Sequence, residues 1–250
     1  MRATEMWVGV VSIFPESFDT IRTQGVVARA LARGVLVLDV VTPRDFTTDR
    51  HRTVDDRPYG GGPGMLMKAE PLEAAFRELA RRAPAPVHTV YLSPQGERLT
   101  QARVEELATV PAILFLAGRY EGVDERVLET MVDEELSLGD YVVTGGELPT
   151  MIVIDAVARH LPGTLGNAES TEDESHRDGL LDCPHYTRPE SLDGRTVPTV
   201  LLSGDHESVR RWRKKMRLGR TFERRPDLLA HRALSDEERA LLDEFLHEPH

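Results

Sequence analysis

The chain has 250 residues, of which 40% are hydrophobic and 29% charged, which predicts an ordinary globular protein with one large domain or with a larger and a smaller one. Its single cysteine, Cys183, excludes an internal disulfide and a cysteine-rich zinc site, and no run approaches the roughly 18 apolar residues of a membrane span. The N-terminal residues have no signal-peptide pattern, so we expect a cytoplasmic protein without a membrane partner, and the net charge of −11 by itself disfavours nucleic acid.

Four short apolar runs in the first half of the chain predict buried β-strands. These runs are Met6–Phe14, Val35–Thr42, Val87–Leu92 and Ala112–Ala117. Helical patterns separate or follow them, at Pro71–Arg82, Thr100–Ala108 and Glu147–His160. Because strands that alternate with helices form parallel sheets, the pattern predicts an α/β fold with a mostly parallel sheet.

The composition changes after residue 161. Leu161–Tyr186 is rich in Gly, Asn, Ser, Asp, Glu and Pro and has no period, which predicts a long loop or interdomain linker of functional importance. Beyond it the chain is helical and strongly charged, and Ser235 with Glu238 forms a capping box for a last helix, Asp236–Leu246. We therefore predict a first domain over residues 1–161, a linker over 162–175 and a small, mainly helical domain over 176–250.

A basic stretch, Ser208–Arg225, stands out in this acidic protein. Glu223 is its one acidic residue, and its nine cations are Arg210, Arg211, Arg213, Lys214, Lys215, Arg217, Arg220, Arg224 and Arg225. A solvated helix face normally mixes signs, whereas charges of one sign repel each other unless a polyanion is bound. The stretch therefore favours RNA or DNA contact over a plain solvated face. Trp212 and Phe222 either pack inward or stack on bases, and inward packing is the commoner case.

Three glycine-rich segments, Asp55–Gly64, Gly118–Gly122 and Leu138–Gly146, are candidates for ligand binding. The last two follow or precede predicted buried elements, and glycines at strand ends are where α/β proteins bind ligands. The first is no P-loop, because no Lys-Ser or Lys-Thr follows it, and none matches G-x-G-x-x-G. A flexible loop or a tight turn explains each segment about as well as a ligand does.

Other polar residues carry weaker signals. The acidic run Glu169–Glu174 is typical of a solvated loop, although any of its carboxylates can act as a general base. Arg159 ends an apolar helix, where it favourably opposes the helix dipole. Cys183 lies close to His185, yet a buried structural thiol is the commoner case. The histidines show no metal-ligand spacing, so we predict no protein-bound structural metal.

Taken together, seven long and compositionally unusual stretches resemble the bacterial tRNA (guanine-N1)-methyltransferase family, a branch of the trefoil-knotted methyltransferases. They run in family order from the region of Met6 almost to the C-terminus. The stretches are SIFPESF, PRDFTTDRHRTVDDRPYGGGPGMLM, YLSPQG, GRYEGVDER, LGDYVVTGGELP, GLLDCPHYTRPE and RRWRKKMRLGRT.

The resemblance implies a deep trefoil knot in the first domain and a homodimer whose active sites are shared between subunits. It implies that S-adenosylmethionine binds in the knot and that the second domain grips the anticodon arm of tRNA. The residues that it places around the methyl donor are Tyr91, Leu92, Ser93, Pro94, Gly96, Gly118, Arg119, Tyr120, Glu121, Leu138, Gly139, Asp140, Tyr141, Val142, Val143, Gly145, Gly146 and Pro149.

The reaction implied by the resemblance is methyl transfer from S-adenosylmethionine to N1 of the guanosine immediately 3′ of the anticodon. The family's catalytic aspartate aligns with Asp173, with Glu172 and Glu174 as close competitors, and its functional helix-end arginine aligns with Arg159. Burial of Asp173 would raise its pKa and make it a better base for the N1 proton, while Arg159 would stabilise the charge that develops on O6. The resemblance also implies that Mg²⁺ assists.

Three other functions compete with this interpretation. A non-catalytic RNA-binding protein would use the basic stretch alone and would not bind S-adenosylmethionine. A related knotted methyltransferase would act on another RNA atom, such as the ribose 2′-OH, and would need no base matched to N1. A nucleotide-hydrolysing enzyme built on the GGGPG segment would lack the Lys-Ser or Lys-Thr that such sites use.

Overall fold

The computed structural model describes residues 5–165 and 174–248. Contacts within the chain divide it into two compact units, Met1–Gly166 and Asn167–His250. Within the described residues, no helix is long and apolar enough to cross a bilayer.

The first unit is built on a five-stranded sheet in which every neighbouring pair of strands is parallel. Its strands are β1 Met6–Val11, β2 Leu36–Val41, β5 His88–Arg98, β6 Ala112–Leu116 and β7 Glu134–Ser137. A short antiparallel pair, β3 Asp55–Asp56 and β4 Leu66–Met67, lies outside the sheet. The order across the sheet is β2-β1-β6-β5-β7. The predicted α/β class is therefore confirmed, while the knot stays a prediction of the resemblance.

Helices cover both faces of this sheet, which explains why its strands are continuous apolar runs. The helices are α1 Asp19–Thr23, α2 Gly25–Ala32, α3 Ala69–Arg82, α4 Gln101–Leu107, α5 Glu125–Met131 and α6 Glu147–Ala158, with 3-10 turns at Pro15–Phe18 and Pro43–Phe46. Successive side chains of β6 point to opposite faces, so Ile113 and Phe115 pack with α2 and α6, whereas Leu114 and Leu116 pack with α3 and α5.

The sheet places three loops beside one another. Strands β6, β5 and β7 are neighbours and parallel, so their carboxyl ends meet at the same edge. In β5 the pairing with β7 shifts between Leu92 and Glu97, so the intervening residues bulge out of the ladder at that edge. Ligands of open α/β sheets bind outside the carboxyl ends of the strands, which makes this edge the first place to look for a site.

The second unit is mainly helical. Its helices are α7 His206–Arg224, α8 Pro226–Ala230 and α9 Asp236–His247, and they follow a two-stranded hairpin, β8 Ser191–Leu192 and β9 Arg195–Thr196, and a 3-10 turn at Thr199–Leu202. A small core of Leu180, Leu218 and Leu241 joins these parts. The linker boundaries expected at 162–175 stay a prediction.

The four expected strands and the five expected helices are present, whereas helices α1, α2, α5 and α8 and the short strands β3 and β4 were not predicted. Strand β7 was not predicted, because an edge strand with the sequence EELS has no apolar run. The hairpin was also missed, although its Asp193-Gly194 turn carries a recognisable signal: both residues adopt positive φ, as a type I′ turn requires. The capping box is confirmed, since the Ser235 hydroxyl accepts from the Glu238 N–H and the Glu238 carboxylate accepts from the Ser235 N–H.

We predict that Ser235→Ala lowers the free energy of unfolding of the second unit by about 1 kcal/mol, because it removes one of the two reciprocal capping bonds of α9. Urea unfolding of the full chain, followed by far-UV circular dichroism, measures the loss. Ser191→Ala is the control, since Ser191 is exposed and its hydroxyl makes no hydrogen bond within the described residues. Equal stability of the two variants would contradict the prediction.

Candidate functional site

A cleft of about 210 Å³ opens at the carboxyl edge of β6, β5 and β7. The structure brings to it every residue that the resemblance placed around the methyl donor except Gly96 and Asp140. It adds four residues that the resemblance did not place there, Gly122, Leu136, Ser137 and Thr144, of which Gly122 and Thr144 belong to the glycine-rich candidate segments. Two of these belong to β7, so identifying that strand would have found them.

Gly96 lies at the bulge of β5, where backbone approaches backbone. A Cβ at this position would be 2.5 Å from the carbonyl carbon of Glu135 and the nitrogen of Leu136 in β7. Gly96 therefore shapes the wall of the cleft from behind and does not line it. Asp140 is exposed in the loop after β7 and also lies outside the lining.

Two further glycines let the loops close on one another. A Cβ on Gly146 would be 2.7 Å from both the Cα of Ala117 and the nitrogen of Gly118, and one on Gly118 would be 2.8 Å from the Tyr91 ring. The Gly146 N–H donates to the Gly118 carbonyl across 2.8 Å. The loops after β6 and β7 are thus joined backbone to backbone, and their main-chain groups are accessible to a ligand.

A buried ion pair fixes the same junction. Glu147, in the first turn of α6, is only 2% exposed, and its Oε2 accepts from Arg119 Nε at 2.7 Å. Its Oε1 accepts from the Ser12 hydroxyl at 2.8 Å. The Arg119 guanidinium also lies 4.7 Å from the Phe14 ring centroid and donates to the Thr144 carbonyl at 3.3 Å. The ends of β1 and β6, the loop before α6 and α6 itself therefore meet at one carboxylate.

The mouth of the cleft is apolar. Tyr141, Val142 and Val143 follow β7 with much of their side chains exposed, and Val142 is 82% exposed. Inside, the Ser137 hydroxyl accepts from the Gly139 N–H at 3.2 Å and thereby fixes the start of this loop. A cleft with exposed backbone amides and carbonyls and an apolar rim suits a ligand that combines a flat, hydrogen-bonding ring with aliphatic parts.

Two tyrosine hydroxyls of the cleft stay protonated at neutral pH. Burial, together with the nearby carboxylates of Glu135 and Glu125, raises the pKa of Tyr91. Burial and the charge of Asp55 likewise raise the pKa of Tyr120. Tyr120 also adopts a left-handed backbone conformation, with φ +62°, which is uncommon outside glycine and often marks a functional loop.

The glycine-rich segment Asp55–Gly64 lies behind the loop after β6 and does not line the cleft. The Glu121 side chain occupies the space that a Cβ on Gly64 would need, and the Glu121 N–H donates to the Met65 carbonyl at 3.0 Å. The segment therefore supports the Gly118–Gly122 loop, which is a structural role that its glycines explain.

The two expected catalytic residues are placed differently. Arg159 is the C-cap of α6, ten residues beyond the cleft residue Pro149, so it lies about 15 Å along the helix from the cleft of its own chain. Asp173 and its competitor Glu172 lie outside the described residues. Glu174, the other competitor, is partly buried, and its carbonyl accepts from the Arg177 N–H.

The basic stretch becomes α7, and its charge is largely compensated within the second unit. Six of the nine cations form ion pairs, four of them with carboxylates distant in the sequence, three in or next to α9 and one in the segment before the hairpin: Arg211 with Glu244, Lys214 with Glu237, Lys215 with Glu248 and Arg217 with Asp178. Arg210 pairs with Glu207 and Arg225 with Asp227. The side chains of Arg213, Arg220 and Arg224 make no ion pair or hydrogen bond with any described residue. The sequence argument for a polyanion partner therefore reduces to three cations.

Cys183 has the structural role that the sequence favoured over a nucleophile. The thiol is buried, and this burial, together with the negative charge of Asp182, raises its pKa, so it is not a thiolate at neutral pH. Burial acts to raise the pKa of Asp182 too, but hydrogen bonds from His185 and the Cys183 N–H outweigh it and lower that pKa. Asp182, Cys183 and His185 lie close enough to share an ion, yet the carboxylate already accepts from both neighbours.

Comparison with known proteins gives one consistent result. Residues 6–231 match the family model described as tRNA (Guanine-1)-methyltransferase TrmD. The chain is 57% identical over 98% of its length to the tRNA (guanine-N(1)-)-methyltransferase of Pseudoalteromonas atlantica, of which 92% is covered. It is 58% identical to the protein of the same name from Chromohalobacter salexigens, with 97% of this chain and 93% of that one covered, and 56% identical to that of Vibrio vulnificus, with 98% of each covered.

We predict that Glu147→Gln lowers the free energy of unfolding by about 3 kcal/mol and weakens binding of S-adenosylmethionine, because the Arg119 charge then lacks its buried partner. Chemical denaturation and isothermal calorimetry measure the two effects. The double variant Arg119→Met, Glu147→Gln is expected to recover part of the stability, since it leaves no unpaired charge.

Glu73→Gln is the matched control for this prediction. Glu73 pairs with Arg77 on the surface of α3 at 2.6 Å, and exposed pairs of this kind contribute about 0–1 kcal/mol. A loss for Glu147→Gln no larger than that for Glu73→Gln would show that the buried pair does not hold the cleft together.

Proposed function

The chain belongs to the tRNA (guanine-1)-methyltransferase family, and from this premise we propose that it transfers a methyl group from S-adenosylmethionine to N1 of the guanosine immediately 3′ of the anticodon in tRNA. The observation that carries the proposal is the cleft, since it gathers sixteen of the eighteen residues expected around the methyl donor at the carboxyl edge of the sheet. Because its substrate is tRNA, the proposal includes a cytoplasmic location.

The cleft fits S-adenosylmethionine by two independent features. Gly118 and Gly146 leave no room for a Cβ, so the main chain itself forms the wall and offers amides and carbonyls to a nucleoside. The apolar rim of Tyr141, Val142 and Val143 suits the aliphatic parts of the molecule. When bound there, S-adenosylmethionine supplies a methyl group that its sulfonium already activates, so no protein nucleophile is required.

The work left to the protein is proton removal and alignment. Guanine N1 carries a proton at neutral pH, and a carboxylate with the ordinary pKa of about 3.9 is a weak base for it. Burial of the Asp173 side chain against RNA would raise that pKa. Arg159 would stabilise the negative charge that develops on O6 as N1 loses its proton. The cleft and the RNA contacts then supply the alignment of the reacting atoms.

A second copy of the chain completes the site in this proposal. Within one chain Arg159 is about 15 Å along α6 from the cleft residue Pro149, too far to reach a base that lies in the cleft. Leu148, Ile152, Asp155 and Arg159 follow one another at helical spacing along one stripe of α6. Leu148 and Ile152 on this stripe are 63% and 52% exposed, and a helix as apolar as α6 is normally covered all round. We therefore place a partner subunit on this stripe, with its cleft facing Arg159.

Mg²⁺ carries no step of this mechanism. Among the described residues that line the cleft, Glu121 has the single carboxylate, and it is exposed. Octahedral Mg²⁺ takes one or two carboxylates together with waters or substrate oxygens, and the described lining of the cleft supplies at most one carboxylate ligand. Metal dependence therefore stays a prediction of the resemblance.

We predict that the wild type converts the guanosine 3′ of the anticodon in an unmodified tRNA transcript to N1-methylguanosine, and that Asp173→Ala lowers kcat by about 10²–10⁴-fold because it removes the general base. Mass spectrometry of digested RNA identifies the product, and calorimetry checks that the variant still binds S-adenosylmethionine. Glu172→Ala and Glu174→Ala are the matched variants, and the largest loss among the three identifies the base.

Each rival function gives a different product. A 2′-O-methylated nucleoside would replace the N1 assignment by the ribose-modifying alternative. Binding of tRNA without methyl transfer and without binding of S-adenosylmethionine would return the chain to the class of RNA-binding proteins.

We predict that two inactive variants, Arg159→Ala and Gly146→Ala, restore each other when their subunits are mixed and exchanged. In a random mixture half of the dimers are mixed, and each of these has one site that joins an intact cleft to an intact Arg159. The expected activity is therefore about one quarter of the wild type. Methyl-transfer assays of the whole mixture after subunit exchange measure it.

Ile152→Glu is the control for the exchange experiment. A charge on the exposed stripe of α6 is expected to give a monomer in light scattering and to abolish the restored activity. An inactive mixture of subunits that do exchange would contradict the shared site.

A further inference from the structure

A second cavity, of about 480 Å³, lies within the second unit and is not used by the proposed chemistry. It is bounded by the residues that follow Cys183, by the 3-10 turn at Thr199–Leu202 and by α7. Its lining combines aliphatic side chains of Val197, Leu201 and Val209 with the rings of Tyr186 and Trp212, and its charged residues are Arg188, Arg213 and one carboxylate, Glu190.

The aromatic pair is held in place yet open on one side. The ring centroids of Tyr186 and Trp212 are 6.4 Å apart with the planes at 52°, a tilted contact that fixes both orientations. Tyr186 is nonetheless 49% exposed, so part of its ring is available to a ligand. Rings that are positioned and exposed in this way form stacking platforms for nucleic-acid bases.

Hydrogen bonds fix the turn that leads into the cavity. The Asp182 carboxylate accepts from the Cys183 N–H at 2.6 Å and contacts His185 Nε2 at 2.8 Å. The Leu181 N–H donates to the Thr221 hydroxyl of α7 at 2.9 Å. Tyr186 therefore belongs to a segment that is hydrogen-bonded to α7. The cavity is formed before any ligand binds.

Two arginines and one carboxylate, Glu190, leave the lining of the cavity with a positive balance, and one of the arginines belongs to the uncompensated part of the basic stretch. Arg213 is one of the three α7 cations with no ion pair among the described residues, and Arg188 has none there either. Arg220 and Arg224 follow Arg213 at intervals of seven and four residues, which places all three on one stripe of the helix. The ion pairs of α7 thus leave a line of positive charge that begins at the aromatic cavity.

We propose that this cavity binds one unstacked nucleotide of the tRNA substrate, with its base against Tyr186 and Trp212 and the adjoining phosphates on Arg188 and Arg213. The stripe of Arg213, Arg220 and Arg224 carries the neighbouring backbone. The inference rests on the proposed function for the identity of the RNA. It assigns RNA binding in the second unit to a defined pocket and not to the whole basic helix.

The first test uses Trp212 as a reporter. The chain has two tryptophans, and Trp7 is buried in the first unit, so Trp7→Phe leaves Trp212 as the single tryptophan whose fluorescence is measured. Stacking of a base on or beside the indole is expected to quench its fluorescence as unmodified tRNA is added, in step with binding measured by filter retention. Saturating tRNA with unchanged Trp212 emission would overturn the proposal.

The second test compares matched substitutions. Tyr186→Leu is expected to raise the Kd and the KM for tRNA by about tenfold with kcat and binding of S-adenosylmethionine unchanged, because it removes one stacking surface. Arg213→Gln is expected to reduce the slope of log K against log salt by about 1, as loss of one phosphate contact does. Arg210→Gln, the same change on the same helix, is expected to leave that slope unaltered, because Arg210 already pairs with Glu207.

Equal salt slopes for Arg213→Gln and Arg210→Gln, or an unchanged tRNA affinity for Tyr186→Leu, would overturn the pocket. These readouts are taken on binding by the full chain and not on catalysis. A wild type that binds tRNA without methylating it would therefore contradict the proposed function. The binding measurements would still test whether the cavity binds a nucleotide.

Discussion

The junction between the loop after β6 and the first turn of α6 governs the shape of the first unit. Arg119 and Glu147 form a buried ion pair there, and Ser12 brings the end of β1 to the same carboxylate. A buried pair of this kind costs desolvation energy and is stable only when its hydrogen bonds are complete. Both carboxylate oxygens of Glu147 are satisfied, so the pair acts as a fixed point. The cleft lies on one side of this pair, and α6 extends from the other side.

Glycine supplies the complementary constraint. At Gly146 and Gly118 the fold demands contacts that no Cβ allows, and both contacts join the loops that form the cleft. The charged pair pulls these loops together, and the missing side chains let them close. Neither feature alone gives a wall of main-chain groups, and a nucleoside ligand needs that wall.

The sequence predicted the parts of the fold whose signals are local. Apolar runs marked β1, β2, β5 and β6, and the spacing of Ser235 and Glu238 marked the start of α9. It did not predict β7, which lies at the sheet edge with a polar sequence, although this strand contributes Leu136 and Ser137 to the cleft. The cleft residues themselves came from the resemblance, because turn glycines alone do not distinguish a ligand site from a tight turn.

The basic stretch shows the limit of counting charge along a sequence. Within Ser208–Arg225 Glu223 alone opposes nine cations, but the fold brings Glu237, Glu244 and Glu248 onto the same helix from a distance of more than twenty residues. Pairing of this kind depends on how α7 packs against α9, and no local pattern of α7 reveals it. The cations that form no ion pair, and not the total number of cations, show where a polyanion would contact positive charge.

Helix α6 also sets a rule for how this chain can change over evolutionary time. Glu147 fixes its first turn at the cleft, and Arg159 is the C-cap at its other end. Each inserted or deleted residue between them would turn the far end by about 100° and move it by about 1.5 Å. Substitutions inside the helix leave that geometry intact, whereas a change of length rotates both Arg159 and the exposed stripe away from their present direction. The segment between Glu147 and Arg159 should therefore drift in sequence and stay constant in length.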